Sequence, residues 1–254
     1  MRRILAVLAT AGVLVAGATP AYAETDTDDR TVISQGHVDL APRVVDGAWR
    51  LQIEDGSADP PAWHDADHVV LQARDTARTA VPADPRFGFL GTPGSPVWLL
   101  PQSQQSGIVW PGWNTQDPGV AAAGHDVTWR VLDVDGPGEF TLFVSGNFGT
   151  PRVLFDGREE LPQELDVEPG THAHGNWAFS EPGDYRIDVE MAPVDGSSPG
   201  ARSTLRVHVG DDDPTSAFDD GLPTWAIVVA VVVVLAAAVV AVLLVRRRRA
   251  GGTS

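Results

Sequence analysis

The sequence predicts an all-β protein, an immunoglobulin-like β-sandwich ectodomain followed by one C-terminal transmembrane helix. Three observations lead to this prediction. Short segments in which apolar and polar residues alternate recur through the middle of the chain, which is typical of half-buried strands. Proline and glycine separate these segments, and helical periodicity is weak. A long apolar run without charges lies near the C-terminus.

The first 23 residues have the composition of a secretory signal peptide. Two arginines precede an apolar stretch at 4–18, and Ala21-Tyr22-Ala23 has the small residues at which signal peptidases cut. We therefore expect the mature chain to begin at Glu24. A polar, flexible lead-in at 24–31 is expected before the first strand.

The apolar run at 224–245 is predicted to be the transmembrane helix, because about 20 consecutive apolar residues span a bilayer. An acidic linker at 211–223 precedes it, and four arginines begin the tail at 246–254. Basic residues stay on the cytoplasmic side of a membrane. The sequence thus predicts a single-pass protein of the cell membrane, with its N-terminus extracellular and its C-terminus cytoplasmic. Its function is then expected in the sandwich domain at 32–210.

The composition of this domain excludes several classes of function. All 34 acidic residues of the chain lie between the two apolar ends, together with only 12 of the 18 arginines, and there is no lysine. A surface this acidic argues against nucleic-acid binding, which needs clustered cations. The chain has no cysteine, so disulfides, thiol catalysis and thiolate metal sites are excluded.

Alternating segments supply the predicted strands. The clearest of them are at 32–40, 49–54, 68–73, 152–155 and 202–209. The stretch 82–114 differs, because six prolines and five glycines interrupt its short apolar clusters. We expect short strands and ordered loops there rather than helices.

Two segments repeat the pattern Pro-Gly-acidic-aromatic-x-aliphatic-x-Val, at 137–144 and 182–189. In each case a segment that contains tryptophan comes before the turn. We therefore predict two related hairpins, one that joins 125–134 to 139–144 and one within 171–191. Recurring corners of this kind are typical of a two-sheet sandwich.

The predicted hairpin at 171–191 also contains a His-x-His motif. Successive side chains of a strand point to opposite faces, so His172, His174 and Asn176 are expected on one face, and Trp177 and Phe179 on the other. Two imidazoles on one strand face lie about 6–7 Å apart, a usual way to offer two nitrogen ligands to one metal ion.

A metal site needs further ligands from another strand. His37 with Asp39 is the first choice, since both lie on one face of the first predicted strand, and His125 is the second. Zinc and manganese are the metals considered for these ligands. The alternative interpretation is that the histidines hydrogen-bond to the backbone and order the hairpin.

Tryptophans provide a second candidate binding feature. Trp110 and Trp113, in the segment Trp-Pro-Gly-Trp, could form a surface platform for a partner together with Trp177 and Asn176. For Trp110 and Trp113 the favoured interpretation is that the rings fill or cover the core, because aromatic side chains gain much free energy on burial. No serine nucleophile elbow, His-Glu-x-x-His motif or phosphate-binding loop is present, so we do not expect an enzyme.

Three motifs together resemble a known family. They are GHVDL, LPQSQQSGIVWPGWNT and, above all, THAHGNWAFSEPGDYRIDV. They resemble the actinobacterial surface-anchored proteins with a choice-of-anchor M domain, over residues 32–209. Members of this family end in different anchors, here a transmembrane helix with a basic tail. They are often encoded beside ABC transporters of the metal-uptake type, which implies an ABC transporter or its substrate-binding protein as a partner.

Two functions follow as hypotheses. In the first, the protein is a membrane-anchored extracellular binding protein, accessory to a metal-type ABC uptake system, that captures a transition metal or a metal complex through its histidines. In the second, it is a structural or adhesive module of the cell envelope that binds wall polymer or protein through its Trp-rich loops. The first predicts that the histidines converge, and the second predicts that Trp110 and Trp113 are exposed.

Overall fold

The structure is a computed structural model that describes residues 30–122, 124, 126–146, 149–214 and 218. No helix among these residues is long and apolar enough to cross a membrane. The predicted signal peptide, transmembrane helix and basic tail lie outside the described residues, as do parts of the lead-in and of the acidic linker. His125 lies outside them as well.

The described residues form sixteen strands and a few short helices, so the all-β prediction is confirmed. The strands are β1 (Thr31–Ile33), β2 (Gly36–Val45), β3 (Ala48–Asp55), β4 (Ala62–Asp65), β5 (Val69–Ala73), β6 (Arg78–Ala80), β7 (Pro96–Leu100), β8 (Val109–Asn114), β9 (Val127–Asp135), β10 (Phe140–Ser145), β11 (Pro151–Asp156), β12 (Gln163–Val167), β13 (His172–His174), β14 (Asn176–Phe179), β15 (Gly183–Pro193) and β16 (Ala201–Val209). The helices are three 3₁₀ turns, Ala66–His68, Asp75–Ala77 and Pro85–Leu90, and α1 (Pro118–Ala121).

These strands form three sheets. Sheet I has the order β1-β5-β16-β15-β9-β12, sheet II the order β11-β10-β14-β7-β6, and sheet III the order β13-β8-β2-β3-β4. The predicted strands correspond to β3, β5, β11 and β16 within one or two residues, whereas the first predicted strand is divided into β1 and β2. These two strands belong to different sheets, because the chain turns at Gly36, which has a φ of 91°.

The three sheets share one core, and Trp129 lies where they meet. From β9 in sheet I, its ring contacts Trp177 of sheet II at 6.2 Å between centroids and Trp113 of sheet III at 5.6 Å. Phe155 of sheet II packs edge-on against it at 5.0 Å. All four side chains are buried. Aromatic rings of this size gain most from burial, which is why the tryptophans occupy the centre.

The two predicted Pro-Gly hairpins are wrong. β9 pairs with β12 and β15, while β10 pairs with β11 and β14, so the turn after β9 carries the chain from sheet I to sheet II. The turn after β14 carries it back from sheet II to sheet I. Alternation in a strand is the same whether the next segment pairs beside it or lies in the facing sheet, so the pattern could not distinguish these cases.

The two corners nevertheless pack against each other. The backbone N–H of Glu139 donates to Ser180 Oγ at 2.8 Å, and the N–H of Ser180 donates to the carbonyl of Glu139 at 3.1 Å. The hydroxyl of Tyr185 donates to the carbonyl of Glu181 at 2.8 Å. At the corners the chain leaves the sheets, so its backbone groups have no partner on a neighbouring strand. These hydrogen bonds satisfy them.

The predicted continuous strand through the His-x-His motif is also wrong. β13 belongs to sheet III and β14 to sheet II, with Gly175 between them. A side chain at Gly175 would come within 2.8 Å of Leu142 Cδ1 and 3.3 Å of the Trp113 ring, so only glycine fits where the chain crosses. The crossing puts the two histidines at the edge of sheet III and the aromatic residues that follow in the core.

Candidate metal centre

His172 and His174 lie on β13, whereas His37 and Asp39 lie on β2, and these two strands are not paired with each other. β8 runs between them, parallel to β2 and antiparallel to β13. Gly112 of β8 is the partner of Asp39 on one side and of His174 on the other. A Cβ atom at Gly112 would overlap Asp39 Oδ1 and lie 2.7 Å from His174 Cε1. Because Gly112 has no side chain, the side chains of β2 and β13 meet over it.

Four side chains converge above this glycine. His172 Nε2 lies 2.8 Å from Asp39 Oδ2 and 3.3 Å from His37 Nε2. Asp39 Oδ1 lies 3.4 Å from His37 Nε2 and 3.8 Å from His174 Nε2. One ligand atom from each of the four residues lies within 4.8 Å of all the others. The structure thus brings together the two histidines of the His-x-His motif and the first-choice pair from β2.

The spacing of these atoms suits a small divalent ion. Zinc binds imidazole nitrogen and carboxylate oxygen at about 2.0–2.2 Å, so adjacent ligands of a tetrahedral site lie about 3.3–3.6 Å apart. The contacts of 2.8–3.8 Å within the cluster fall around that range. The four residues could therefore hold a metal ion after small side-chain adjustments.

Asp39 is the most buried member of the cluster, with no exposed side-chain surface. Burial raises the pKa of Asp39, and the neighbouring His37 and His172 only partly oppose this effect. His172 Nε2 lies 2.8 Å from its Oδ2 and the side chain of Asn114 also interacts with it, but neither partner carries a charge when the imidazole is unprotonated. A buried carboxylate in this condition is costly unless a positive charge satisfies it. A bound cation would supply that charge.

His174 is the second least exposed member of the cluster, with 10% of its side chain exposed. Its pKa is lowered to about 4, mainly by burial and to a smaller extent by charge repulsion from His37 and His172, which together outweigh a backbone interaction with Pro111. The imidazole is therefore neutral near pH 7, which is the form that binds metal. The ring interacts with the backbone of Pro111, and its Nε2 lies 3.8 Å from Asp39 Oδ1.

Neighbouring groups fix the orientation of the imidazoles. The indole of Trp110 stacks on His174, with 3.9 Å between centroids and 11° between planes, and its Nε1 donates to the carbonyl of Gln102 at 2.8 Å. Gly56 approaches the ring of His37 so closely that a Cβ there would lie 2.7 Å from His37 Nδ1. Packing of this kind limits the freedom of ligands before an ion arrives.

The tryptophan platform predicted from the sequence is not formed. Trp113 and Trp177 are buried in the core, because their rings gain more free energy there than at the surface. Trp110 is partly covered by its stack on His174. Asn176 is buried too, and its Oδ1 accepts a hydrogen bond from the backbone N–H of Gln102 at 2.9 Å.

The four ligands are predictable from the sequence, whereas the residues that assemble them are not. Gly112 resembles the other glycines of its Pro-rich stretch, and nothing in the neighbouring sequence marks it as the centre of a site. Trp110 is predicted as part of a platform, but it supports His174 instead. His64 and His68 join no group of three or more potential ligands in the described part of the chain.

No protein-family model and no curated protein matches this chain. Among solved structures, it is similar to the ASH / PapD-like domain of human CEP192 (PapD-like domain 7), with 15% identity and a TM-score of 0.19. The match covers 35% of this chain and 64% of that domain, which is less than two thirds of the latter. A likeness this weak carries no argument about function.

Proposed function

We propose that this protein is a membrane-anchored extracellular protein that captures a divalent transition metal through His37, Asp39, His172 and His174. One observation carries the proposal: ligand atoms from two strands that are not neighbours lie within 4.8 Å of one another. The carboxylate of Asp39 is fully buried beside the imidazoles, and a cation would supply the positive charge that offsets its burial.

The donor set favours zinc, with manganese as the alternative metal. Three imidazoles and one carboxylate suit four-coordinate zinc, whereas calcium and magnesium prefer oxygen ligands alone. Manganese accepts mixed nitrogen and oxygen ligands, usually with water completing a larger coordination sphere. The described structure leaves room for such water on the outer side, where His37 is 24% exposed and His172 is 38% exposed.

The exposure of His37 and His172 favours a site that captures and releases a metal ion over a site that holds a permanent structural ion. Structural zinc sites are closed, whereas exchange requires an approach path for the ion. Asp39 forms the floor of the cluster and the two more exposed imidazoles form its rim. We therefore propose binding rather than catalysis, with an ABC uptake system or its substrate-binding protein as the recipient of the metal. The family resemblance supports this recipient.

The proposed context is a cell surface. The signal-like N-terminus and the apolar C-terminal run would place the sandwich outside the membrane and hold it there. An immunoglobulin-like sandwich is the finer description we propose for the fold. It is supported by the hydroxyl of Tyr185, which bonds to the backbone of Glu181 as in the tyrosine corner of that class.

Metal analysis of the full-length protein, purified in detergent and stripped with a chelator, tests this function. We expect calorimetry to show one equivalent of zinc or manganese bound with a micromolar or lower Kd. The double variant His172→Ala, His174→Ala should lose binding while its circular dichroism is unchanged. A His64→Ala, His68→Ala double variant is the matched control and should bind as the original does. Failure of the original protein to bind either ion would refute the proposal.

A further inference from the structure

A groove lies beside the metal centre on the same face of sheet III. His37, Asp39, Ala41 and Arg43 alternate along β2, so all four belong to this face. The groove has a volume of about 210 Å³ and begins where the centre ends. The residues that define it are Ala41, Arg43, Glu54, Trp63, Asn114 and Asp117. Its floor is open because Ala41 has only a methyl side chain between two larger neighbours.

One wall of the groove is aromatic. Trp63 of the short strand β4 is 37% exposed, one of three large apolar side chains exposed to that degree in the described residues. The guanidinium of Arg43 lies 4.0 Å from the centre of its ring and holds the indole in place. Since Arg43 covers one face of the indole, the other face and the edge of Trp63 are the apolar surface available for a ligand.

The other walls carry planar polar groups that are already fixed. Asn114 Nδ2 donates to Glu54 Oε2 at 3.2 Å. Asp117 Oδ1 accepts from the backbone N–H of Gly119 at 2.9 Å, and the guanidinium of Arg43 donates to Gln52 Oε1 at 2.8 Å. Asp117 Oδ2 lies 3.5 Å from Arg43 Nε, but a carboxylate oxygen has more than one lone pair, Glu54 has a second oxygen, and the guanidinium has further N–H groups. A ligand would therefore meet donors and acceptors that need little further ordering.

Charge and shape narrow the class of ligand. Two carboxylates, of Glu54 and Asp117, face one guanidinium, of Arg43, so the groove disfavours anions such as phosphate. Its polar lining also disfavours an apolar ligand. Hydroxyl groups both donate and accept hydrogen bonds, and so match a mixture of carboxylate, amide and guanidinium groups. A sugar ring also has apolar C–H faces that can lie against an indole.

We propose that this groove binds one neutral sugar residue of a glycan, with its ring against Trp63 and its hydroxyls on Glu54, Asn114 and Asp117. The volume suits a single ring, and the glycan chain would continue across the surface of the sheet. This site adjoins the metal centre, because Asn114 of the groove also interacts with Asp39, but sugar binding does not require a bound ion. It also differs from the Trp-rich loop platform predicted from the sequence, because none of the residues of that platform lines the groove.

The test uses the full-length protein in detergent and neutral oligosaccharides as probes, namely chitotetraose, maltotetraose and cellotetraose. Saturation-transfer NMR detects binding, and tryptophan fluorescence gives the Kd. We expect at least one probe to bind, and Trp63→Ala to weaken that binding by at least about tenfold, as for a central aromatic contact. Val153→Ala is the matched control, since Val153 is also 37% exposed but lies in sheet II.

A second variant, Ala41→Leu, fills the groove without removing any of the polar groups and should also abolish binding. Both variants should retain the metal stoichiometry of the original protein, which shows that they fold. Absence of binding by all three probes at millimolar concentration would overturn the proposal. A Kd for the oligosaccharide that stays within twofold of the original value in Trp63→Ala or Ala41→Leu would also overturn the proposal. Trianionic oligogalacturonate should not compete, and competition by it would overturn the assignment to a neutral sugar.

Discussion

Asp39 and Gly112 are partners on neighbouring strands, and the carboxylate of Asp39 occupies the space that a side chain at Gly112 would fill. The centre therefore depends on a residue that contributes no ligand. The four residues of the cluster are recognised in the sequence as potential ligands by their chemistry and by their spacing in two pairs. The role of Gly112 is seen only in the folded structure, from the side chains that pack over it.

We expect Gly112→Ala to abolish metal binding or to weaken it at least about tenfold. The added methyl would displace Asp39 and His174, and overpacking of this kind costs about 1–3 kcal/mol of stability. Calorimetry with zinc measures the loss. Gly88→Ala is the control, because a Cβ at Gly88 would meet nothing within 4 Å. Equal affinities for the two variants would show that the space over Gly112 is not needed.

Asp39→Asn is expected to stabilise the metal-free protein while it abolishes metal binding. Burial raises the pKa of Asp39 in the folded state, so its contribution to stability is full below the unfolded pKa and is lost as pH rises through the folded value. At pH 7 the ionised carboxylate therefore costs stability, about 1–3 kcal/mol, because its burial outweighs its contacts with His172 and Asn114.

Urea unfolding in the presence of a chelator measures this effect. The variant should be the more stable protein at pH 7, and the difference should disappear near pH 3, where the carboxyl is protonated in both states. A variant less stable than the original at pH 7 would show that the contacts of Asp39 with His172 and Asn114 outweigh the cost of burying its charge.

Trp110 is expected to act on the metal through His174. Its replacement by alanine removes the ring that stacks on the imidazole, and groups that orient a ligand typically change metal affinity by about 10–100-fold. Trp110→Phe should restore most of the affinity, since a phenyl ring can stack in the same way. Titration of both variants with zinc measures the change, with Trp63→Phe as the control. Unchanged affinity in Trp110→Ala would show that His174 is held by other contacts.

Metal should raise the melting temperature of the protein. An ion present at about 100 times its Kd adds about 2.7 kcal/mol if it binds only the folded state. For a domain of this size that corresponds to a shift of about 5–10 °C. Differential scanning calorimetry with and without zinc measures the shift. The His172→Ala, His174→Ala variant should show none, and a similar shift in that variant would place the ion elsewhere.

Acid should weaken a separate ion network on sheet I. Burial opposes ionisation of Glu190, but hydrogen bonds from Arg202 and Arg130 outweigh it and hold the pKa of Glu190 below its ordinary value. The resulting stability is present above the unfolded pKa, near 4.5, and is lost as pH falls through the folded pKa. We expect Glu190→Gln to cost about 2 kcal/mol at pH 6 and little at pH 3.

Thermal unfolding at the two pH values measures this difference. Glu181→Gln, a carboxylate at the corner between sheets II and I, serves as the control and should change stability little at either pH. A loss of stability in Glu190→Gln that does not depend on pH would indicate that the side chain matters for packing rather than for its charge.

Individual strands could be predicted from the sequence, but their assignment to sheets could not. Alternation identifies β3 and β16 because each buries one face, and that property is local. The Pro-Gly corners after β9 and β14 are predicted as hairpins, because a turn that folds a strand back beside its neighbour has the same local pattern as one that crosses to the facing sheet. Only packing between distant residues, such as Trp129 with Trp177, distinguishes them.

The ligands of the centre could be predicted for the same local reason. His37 with Asp39, and His172 with His174, are pairs separated by one residue, so each pair lies on one strand face. The position of β8 between the two pairs follows from topology, and no local pattern encodes it. The burial of Trp113 follows from the general gain of aromatic rings on burial, whereas its neighbours in the core depend on the topology.

His37 and His172 are separated by 135 positions in the chain. In a chain without structure, closing a loop of that length costs about 4–5 kcal/mol of entropy. The unfolded polypeptide would therefore gather these ligands around an ion only rarely, and neither histidine pair is a complete site alone. Since β2 is synthesised long before β13, assembly of the centre must await the last third of the domain. If the polypeptide crosses a membrane unfolded, it carries no bound metal ion. The ion would then have to bind on the side of the membrane where the domain folds.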